Sequence, residues 1–251
     1  MHRLELAKPD GRRLTLYGRV PLDPGLAAPS PFREPLGAEP HLRWHPLRGE
    51  WVTYAAYRQG RTYLPPPEYN PLAATTDPAR PTELPAGDWD VAVFDNRFPS
   101  LAPPLPGTAP PALVVPTAPA DGACEVVVFT QDPQSSLAHL PLDHLALLVQ
   151  VWADRTQRLA ARGGIAYVLP FENRGAEMGA SNPHPHGQIY GYPYLTPRTE
   201  AMLRQADRHR AAHGTNLFAD ALAHEVADGT RIIMRTDTFT AFVPFAARWP
   251  V

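Results

Sequence analysis

The stretch Phe171-Glu172-Asn173-Arg174-Gly175-Ala176-Glu177-Met178-Gly179-Ala180-Ser181-Asn182-Pro183-His184-Pro185-His186-Gly187-Gln188 organises the rest of the chain. Its second part reads as a strand entry. In an extended strand, residues two apart point to one face. His184, His186 and Gln188 then share a face, with Pro185 and Gly187 between them. Proline lacks an N–H and suits a strand start better than a central position. Glycine lets another group come close to the backbone. Upstream, Gly175, Gly179 and Ser181-Asn182-Pro183 form a loop of small and turn-favouring residues. Such a loop offers backbone N–H groups to an anion. Two imidazoles, an amide and an anion-friendly loop suggest phosphoryl chemistry.

Working outward, Ile165 to Leu169 reads as the strand that delivers the chain to Glu172 and Asn173. Asn173 is either a ligand contact or a turn former before Gly175. Glu125 to Phe129 is strand-like by its β-branched content. Between these lies a helix, with Asp143 at its start and Gly163-Gly164 at its end. Leu145, Leu148, Val149, Trp152 and Leu159 are expected to form its buried face. Val91 to Phe94 is a further short strand. Thr196 with Pro197 and Gly214 bracket a second helix, and 217–226 a third. His209 and His213 share one face of the second helix and read as an exposed pair. Arg231 to Met234 and Phe239 to Phe245 are two more strands. No G-x-G-x-x-G or parallel βαβ rhythm points to a dinucleotide fold. The expected class is α+β: an antiparallel sheet with helices packed on one face.

Bulk composition narrows the function. Formal net charge is −2 over 251 residues, which favours no nucleic acid. No stretch approaches the ~18 apolar residues of a membrane span. Cys124 is the single cysteine, so no internal disulfide exists, and a cytoplasmic setting is expected. Met1 to Arg13 lacks the apolar core of a signal peptide. Lys8 is the sole lysine, which excludes a G-x-x-x-x-G-K phosphate loop and leaves phosphate contacts to arginine. Thirty-two prolines (Pro 32) predict long irregular connections.

The 171–188 stretch closely resembles the active-site signature of the galactose-1-phosphate uridylyltransferase family, the transferase branch of the histidine-triad superfamily. Arg43-Trp44-His45-Pro46-Leu47-Arg48-Gly49-Glu50-Trp51-Val52 resembles that family's N-terminal motif, with Arg58 and Arg61 at matching spacing. Val93-Phe94-Asp95-Asn96-Arg97-Phe98-Pro99 is similar to its uridine-contacting segment, although many relatives carry aspartate where Arg97 stands. The resemblance implies a histidine-triad-like fold and uridylyl transfer from UDP-glucose to galactose 1-phosphate. His186 would be the nucleophile of a ping-pong reaction, passing through a covalent uridylyl-histidine. Gln188 stands where histidine-triad hydrolases carry a third histidine. An amide hydrogen-bonds without titrating, so it gives water no proton shuttle. Arg58, Arg61, Asn96, Arg97, Asn173 and Ser181 would contact substrate.

The same resemblance implies a zinc site, with a C-x-x-C pair, a histidine near 133 and His184 as ligands. Here Asn70, Ala73 and Pro133 stand in place of likely ligands. A tetrahedral site then lacks its parts, so no zinc or other cofactor is expected and His184 reads as neutral and structural. The resemblance also implies a homodimer in the full-length form. Expected organisation is an extended arm over 1–40, a first histidine-triad-like half over 41–230, and the start of a shortened second half over 231–251. The chain is expected to be a fragment of a longer protein. Two other readings stand beside transfer from UDP-glucose. One is a related nucleotidylyltransferase or phosphorylase using ADP-sugars or dinucleotides. The other is a catalytically incomplete nucleotide-binding fragment.

Overall fold

A computed structural model describes residues 1–35, 37, 39–60, 69–105, 110–178 and 182–248. Arg61 and Ser181 lie outside the described residues. The chain forms two compact units, Met1–Tyr194 and Leu195–Val251.

The first unit contains strands β1 (His2–Ala7), β2 (Arg13–Gly18), β3 (His41–His45), β4 (Glu50–Tyr54), β5 (Val91–Asp95), β6 (Thr117–Pro119) and β7 (Ala123–Val128). Helix α1 (Leu142–Ala160), β8 (Tyr167–Phe171) and β9 (His186–Tyr192) follow. Six strands make one sheet in the order β1-β2-β5-β7-β9-β8. Every neighbouring pair in it is antiparallel. A smaller sheet has the order β4-β3-β6. The central strands explain themselves by composition. Val91, Val93, Val127 and Val128 are β-branched and essentially fully buried, each contributing roughly 1.5–3 kcal/mol by burial.

Helix α1 covers one face of the large sheet, packing on Tyr17, Val93, Val127, Phe129 and Ile189. Its buried residues are His144, Leu147, Leu148, Val151, Arg155 and Leu159. The expected face was centred differently: Val149 is 58% exposed and Leu145 only half-buried. The cause is that two polar residues sit in the buried stripe. His144 Nε2 lies 2.6 Å from the carbonyl oxygen of Phe129, and Arg155 forms a two-pronged ion pair with Glu125. A search for apolar periodicity skips both.

The opposite sheet face carries Leu14, Leu16, Ala92, Phe94 and Val128, covered by Leu72, Leu84 and Trp89. Part of the segment expected as an arm therefore belongs to the sheet, as β1 and β2. Charge pairing holds their connecting turn inside. Lys8 Nζ donates to the Glu83 carboxylate at 2.8 Å and to the Pro29 carbonyl at 2.9 Å. Arg12 binds Asp10 at 2.7 Å and Glu83 at 2.8 Å. Its Nη1 also reaches the carbonyl oxygen of Asp95 at 3.1 Å. The hairpin turn thereby braces the end of β5, next to Asn96.

The second unit holds α2 (Pro197–His213), α3 (Leu217–Asp228) and an antiparallel pair, β10 (Ile232–Arg235) and β11 (Thr240–Phe242). Helix α2 starts after Thr196 and stops at Gly214, whose φ of 74° is the left-handed cap that glycine takes readily. The His209 ring is bonded to Asp220 at 2.7 Å, tying α2 to α3. No helix among the described residues is long and apolar enough to cross a membrane.

Candidate active site

Strand β9 alternates as its sequence predicts: Gly187, Ile189 and Gly191 are buried, while His186, Gln188, Tyr190 and Tyr192 are half-buried. Across the ladder, His186 faces Val128, Gln188 faces Val126 and Tyr190 faces Cys124. Cross-strand partners share a face, so His186 and Gln188 project from the side away from α1. Gly187 is dictated by space. A β-carbon there would lie 2.7 Å from both the Phe171 carbonyl oxygen and the Phe129 ring. The neighbouring strand can approach only because that carbon is absent.

His186 Nδ1 is 2.7 Å from the carbonyl oxygen of His184. A carbonyl oxygen only accepts, so Nδ1 carries the hydrogen in this arrangement. The lone pair of the neutral ring then sits on Nε2.

His184 itself is 1% exposed and held at three points. Its Nε2 lies 2.8 Å from the carbonyl oxygen of Thr130, which makes Nε2 the protonated nitrogen. Its Nδ1 lies 2.9 Å from Asn70 Nδ2, an amide that donates. The Asn70 orientation is set at its other end, where Oδ1 accepts from Leu72 N and from Asn182 Nδ2, each at 3.0 Å. Asn182 Oδ1 closes the ring of bonds by accepting the backbone N–H of His184 at 2.9 Å. A protonated Nδ1 would meet the Asn70 donors head on. Burial, the dominant cause, also lowers the His184 pKa from its ordinary value. Both effects favour a neutral imidazole.

Asn96 follows β5 and joins the His186 face. Its Nδ2 donates to Gln188 Oε1 at 3.4 Å, the long end of hydrogen bonding, and its Oδ1 accepts from Phe98 N at 2.9 Å. Arg58, on a short 3-10 turn at Ala56–Gly60, donates to the Phe98 carbonyl oxygen. Its positive charge acts on the Tyr190 hydroxyl, whose pKa burial raises. A cleft of about 500 Å³ opens on the far side of Asn96, lined also by Arg12, Arg13, Asp95, Leu101 and Cys124; His186, Gln188 and Arg58 do not line it. Burial pushes the Cys124 thiol up, away from the reactive thiolate.

The structure thus brings His186, His184, Gln188, Asn96 and Arg58 to one region. Arg97 Nη1 donates to the Glu34 carbonyl oxygen at 2.9 Å, and its guanidinium lies 4.7 Å from the Phe32 ring centre, itself packed 6.3 Å from the Phe98 ring. Asn173 is exposed, two residues past Phe171, whose ladder partner is Gln188.

Residues 34–196 match the family described as galactose-1-phosphate uridyl transferase, N-terminal domain. The chain belongs to this family. The galactose-1-phosphate uridylyltransferase of Streptomyces lividans is 41% identical over 216 residues, covering 83% of this chain and 54% of that protein. That of Thermotoga maritima is 36% identical over 214 residues, covering 83% of this chain and 64% of that protein. A solved structure described as a uridylyltransferase superposes with a TM-score of 0.71 at 29% identity, covering 84% of this chain and 63% of its own. An ADP-glucose phosphorylase from Arabidopsis thaliana shares the fold at a TM-score of 0.55 and 21% identity. The chain thus spans between about half and two thirds of the length of these uridylyltransferases.

A zinc ion of the kind the family signature implies does not fit the residues present. Both ring nitrogens of His184 already have partners, and positions 73 and 133 are alanine and proline. Among the described residues no three His, Cys, Asp or Glu side chains converge on a metal-sized site. The partners that hold His184 were not foreseen from sequence as donors and acceptors. Asn70 was visible only as a missing cysteine, Asn182 only as a turn former, and the Thr130 backbone carries no sequence signal. The one usable clue was an amide standing where the uridylyl transferase signature expects a ligand aimed at His184.

Proposed function

We propose that this chain supplies the nucleotide-transferring half of a UDP-glucose:hexose-1-phosphate uridylyltransferase of galactose metabolism, acting through His186. The observation that carries the reading is the 2.7 Å bond from His186 Nδ1 to the His184 carbonyl oxygen, which leaves the lone pair on Nε2.

In the first half-reaction Nε2 attacks the α-phosphorus of UDP-glucose. An N–P bond forms, the P–O bond to the β-phosphate breaks, and glucose 1-phosphate leaves with the electron pair. The imidazole becomes a uridylyl-imidazolium, with its charge shared toward the Nδ1–H that the His184 carbonyl accepts. In the second half-reaction a phosphate oxygen of galactose 1-phosphate attacks the same phosphorus. The N–P bond breaks, UDP-galactose leaves, and the ring returns to neutral. No net proton transfer is needed, because the leaving phosphate is a weak base. Gln188, with Oε1 taken by Asn96, has its NH2 group left to donate to a phosphate oxygen. Arg58, Arg61, Asn96, Arg97, Asn173 and Ser181 are the proposed substrate contacts.

We infer further that residues 41–230 form the transferase half and 231–251 begin a second half, with a homodimer as the complete assembly. We propose a cytoplasmic enzyme that uses UDP-glucose and galactose 1-phosphate; the relatives' names support uridylyl transfer with galactose 1-phosphate. The test is isotope exchange. With UDP-glucose and labelled glucose 1-phosphate, and no galactose 1-phosphate, a ping-pong transferase moves label into UDP-glucose. Tight UDP binding without exchange selects the nucleotide-binding remnant instead. Faster exchange with the ADP-glucose pair selects the adenylyl relative.

A further inference from the structure

We propose that Asn70 is a positioning residue for the nucleophile: its amide, clamped to the His184 ring and to Asn182, does by hydrogen bonds the aligning work for which the described residues supply no fitting metal ligands. The inference rests on the reading of His186 as the nucleophile.

The carbonyl oxygen of His184 accepts from His186 Nδ1 and so selects the tautomer of the His186 ring. That carbonyl sits where the His184 residue as a whole is held. Three bonds hold it: ring Nε2 to the Thr130 carbonyl, ring Nδ1 to Asn70, and backbone N–H to Asn182. Asn70 takes part in two of the three, directly at Nδ1 and indirectly through the Asn182 amide it orients. Asn70 is anchored in turn by Leu72 N, one residue pair along its own chain segment. The segment around 70 and the strand entry at 184 are far apart in sequence, so this contact is a tertiary link to the approach to β9, beside the Thr130 carbonyl on the His184 ring and the Phe129 N–H on the Pro185 carbonyl oxygen. A buried polar group left without its partner is costly, so the network tolerates no vacancy. Groups that hold a functional side chain through another residue commonly change its performance by about 10- to 100-fold when removed.

Asn70→Ala removes the donor to His184, the acceptor for Leu72 and the brace on Asn182. The isosteric Asn70→Asp keeps both acceptor bonds and meets His184 Nδ1 as a carboxylate. Each is made in the full chain and examined by 15N-resolved NMR of the histidine rings, alongside the single-turnover rate with UDP-glucose and the UDP-glucose dissociation constant. In the unaltered chain His184 is expected as the Nε2–H form and His186 as the Nδ1–H form alone. In Asn70→Ala, His186 is expected to populate both tautomers, and the transfer rate to fall by about 10- to 100-fold with the dissociation constant within about twofold. In Asn70→Asp, His184 Nδ1 is expected to gain a proton, with His186 restored to one tautomer and most of the rate recovered.

Three results overturn the proposal. A folded Asn70→Ala chain with a single His186 tautomer and an unchanged rate removes Asn70 from any aligning role. A His184 Nδ1 signal indifferent to Asn70→Asp shows that the amide does not touch the ring, and this arm decides even if Asn70→Ala fails to fold. Stoichiometric zinc in the purified chain, with His184 signals shifted by chelation, assigns the alignment to metal. Because the ring signals need no turnover, an unaltered chain that shows no transfer defeats the functional reading while the NMR arms still judge Asn70.

Discussion

The carbonyl oxygen of Phe171 comes within 2.7 Å of the point where a β-carbon on Gly187 would stand. The Phe129 ring reaches the same point from another side at 2.7 Å. Gly187→Ala must therefore push β8 from β9 or displace a buried ring. We expect a loss of about 1–3 kcal/mol, as for other overpacked cores, read as a lower midpoint in urea. The His186 tautomer should blur with it, since both flank the same peptide. An unchanged midpoint would show that the strands have slack at this position.

Glu125 and Arg155 form a buried two-pronged pair behind the sheet, with side-chain exposures of 2% and 8%. Arg155→Leu leaves a carboxylate in the core, at a cost of about 3–5 kcal/mol for a fully unpaired group. Arg13 lies 4.0 Å from Glu125 and offers partial compensation, so the lower end is expected. Replacing both partners by leucine should cost less than Arg155→Leu alone. Denaturant titration of the two variants checks the order, and the reverse order would refute the pairing account.

The depressed pKa of His184 makes stability depend on acidity. The unfolded chain takes up the proton near an ordinary histidine pKa of about 6.5, and the folded chain resists it to lower pH. The Thr130 carbonyl and Asp132 act in the opposite direction, but burial outweighs them. Below about 6.5 the unfolded state therefore binds more protons, and stability falls as pH falls. Above that value the contribution is fully present. Denaturation curves from about pH 5 to 8 should show this slope, and His184→Gln should flatten it. A slope of opposite sign would mean that His184 is folded as a cation.

Gln188 receives Asn96 at Oε1 and titrates nowhere near neutral pH. Gln188→His introduces a group that can move a proton to or from water. The transferred uridylyl group should then be lost to hydrolysis faster, raising UMP release relative to sugar exchange by about 10-fold or more. Chromatographic counting of UMP against UDP-sugar measures the ratio. An unchanged ratio would locate water exclusion elsewhere in the site.

Much of this site was legible in the primary structure because its signals are short-range. The period of two placed His186 and Gln188 on one face, and Gly187 marked a close approach that the Phe171 carbonyl fills. The caps of α2 are likewise local, with Thr196, Pro197 and Gly214 at its ends. Long-range polar pairing escaped. Arg155 and His144 entered a stripe expected to be apolar, because their partners lie on distant strands. The first two strands were partly read as an arm, since burial of Lys8 and Arg12 depends on Glu83 far along the chain. The contacts of Arg97 with Glu34 and Phe32 likewise do not follow from its neighbours in sequence.

The most direct measurement is intact mass after incubation with UDP-glucose, followed by peptide mapping. The account predicts a mass gain of one uridylyl group, carried on the peptide with His186 and absent in a folded His186→Gly variant. A folded, nucleotide-bound chain that gains no mass, or that carries the group on a residue other than His186, would contradict it.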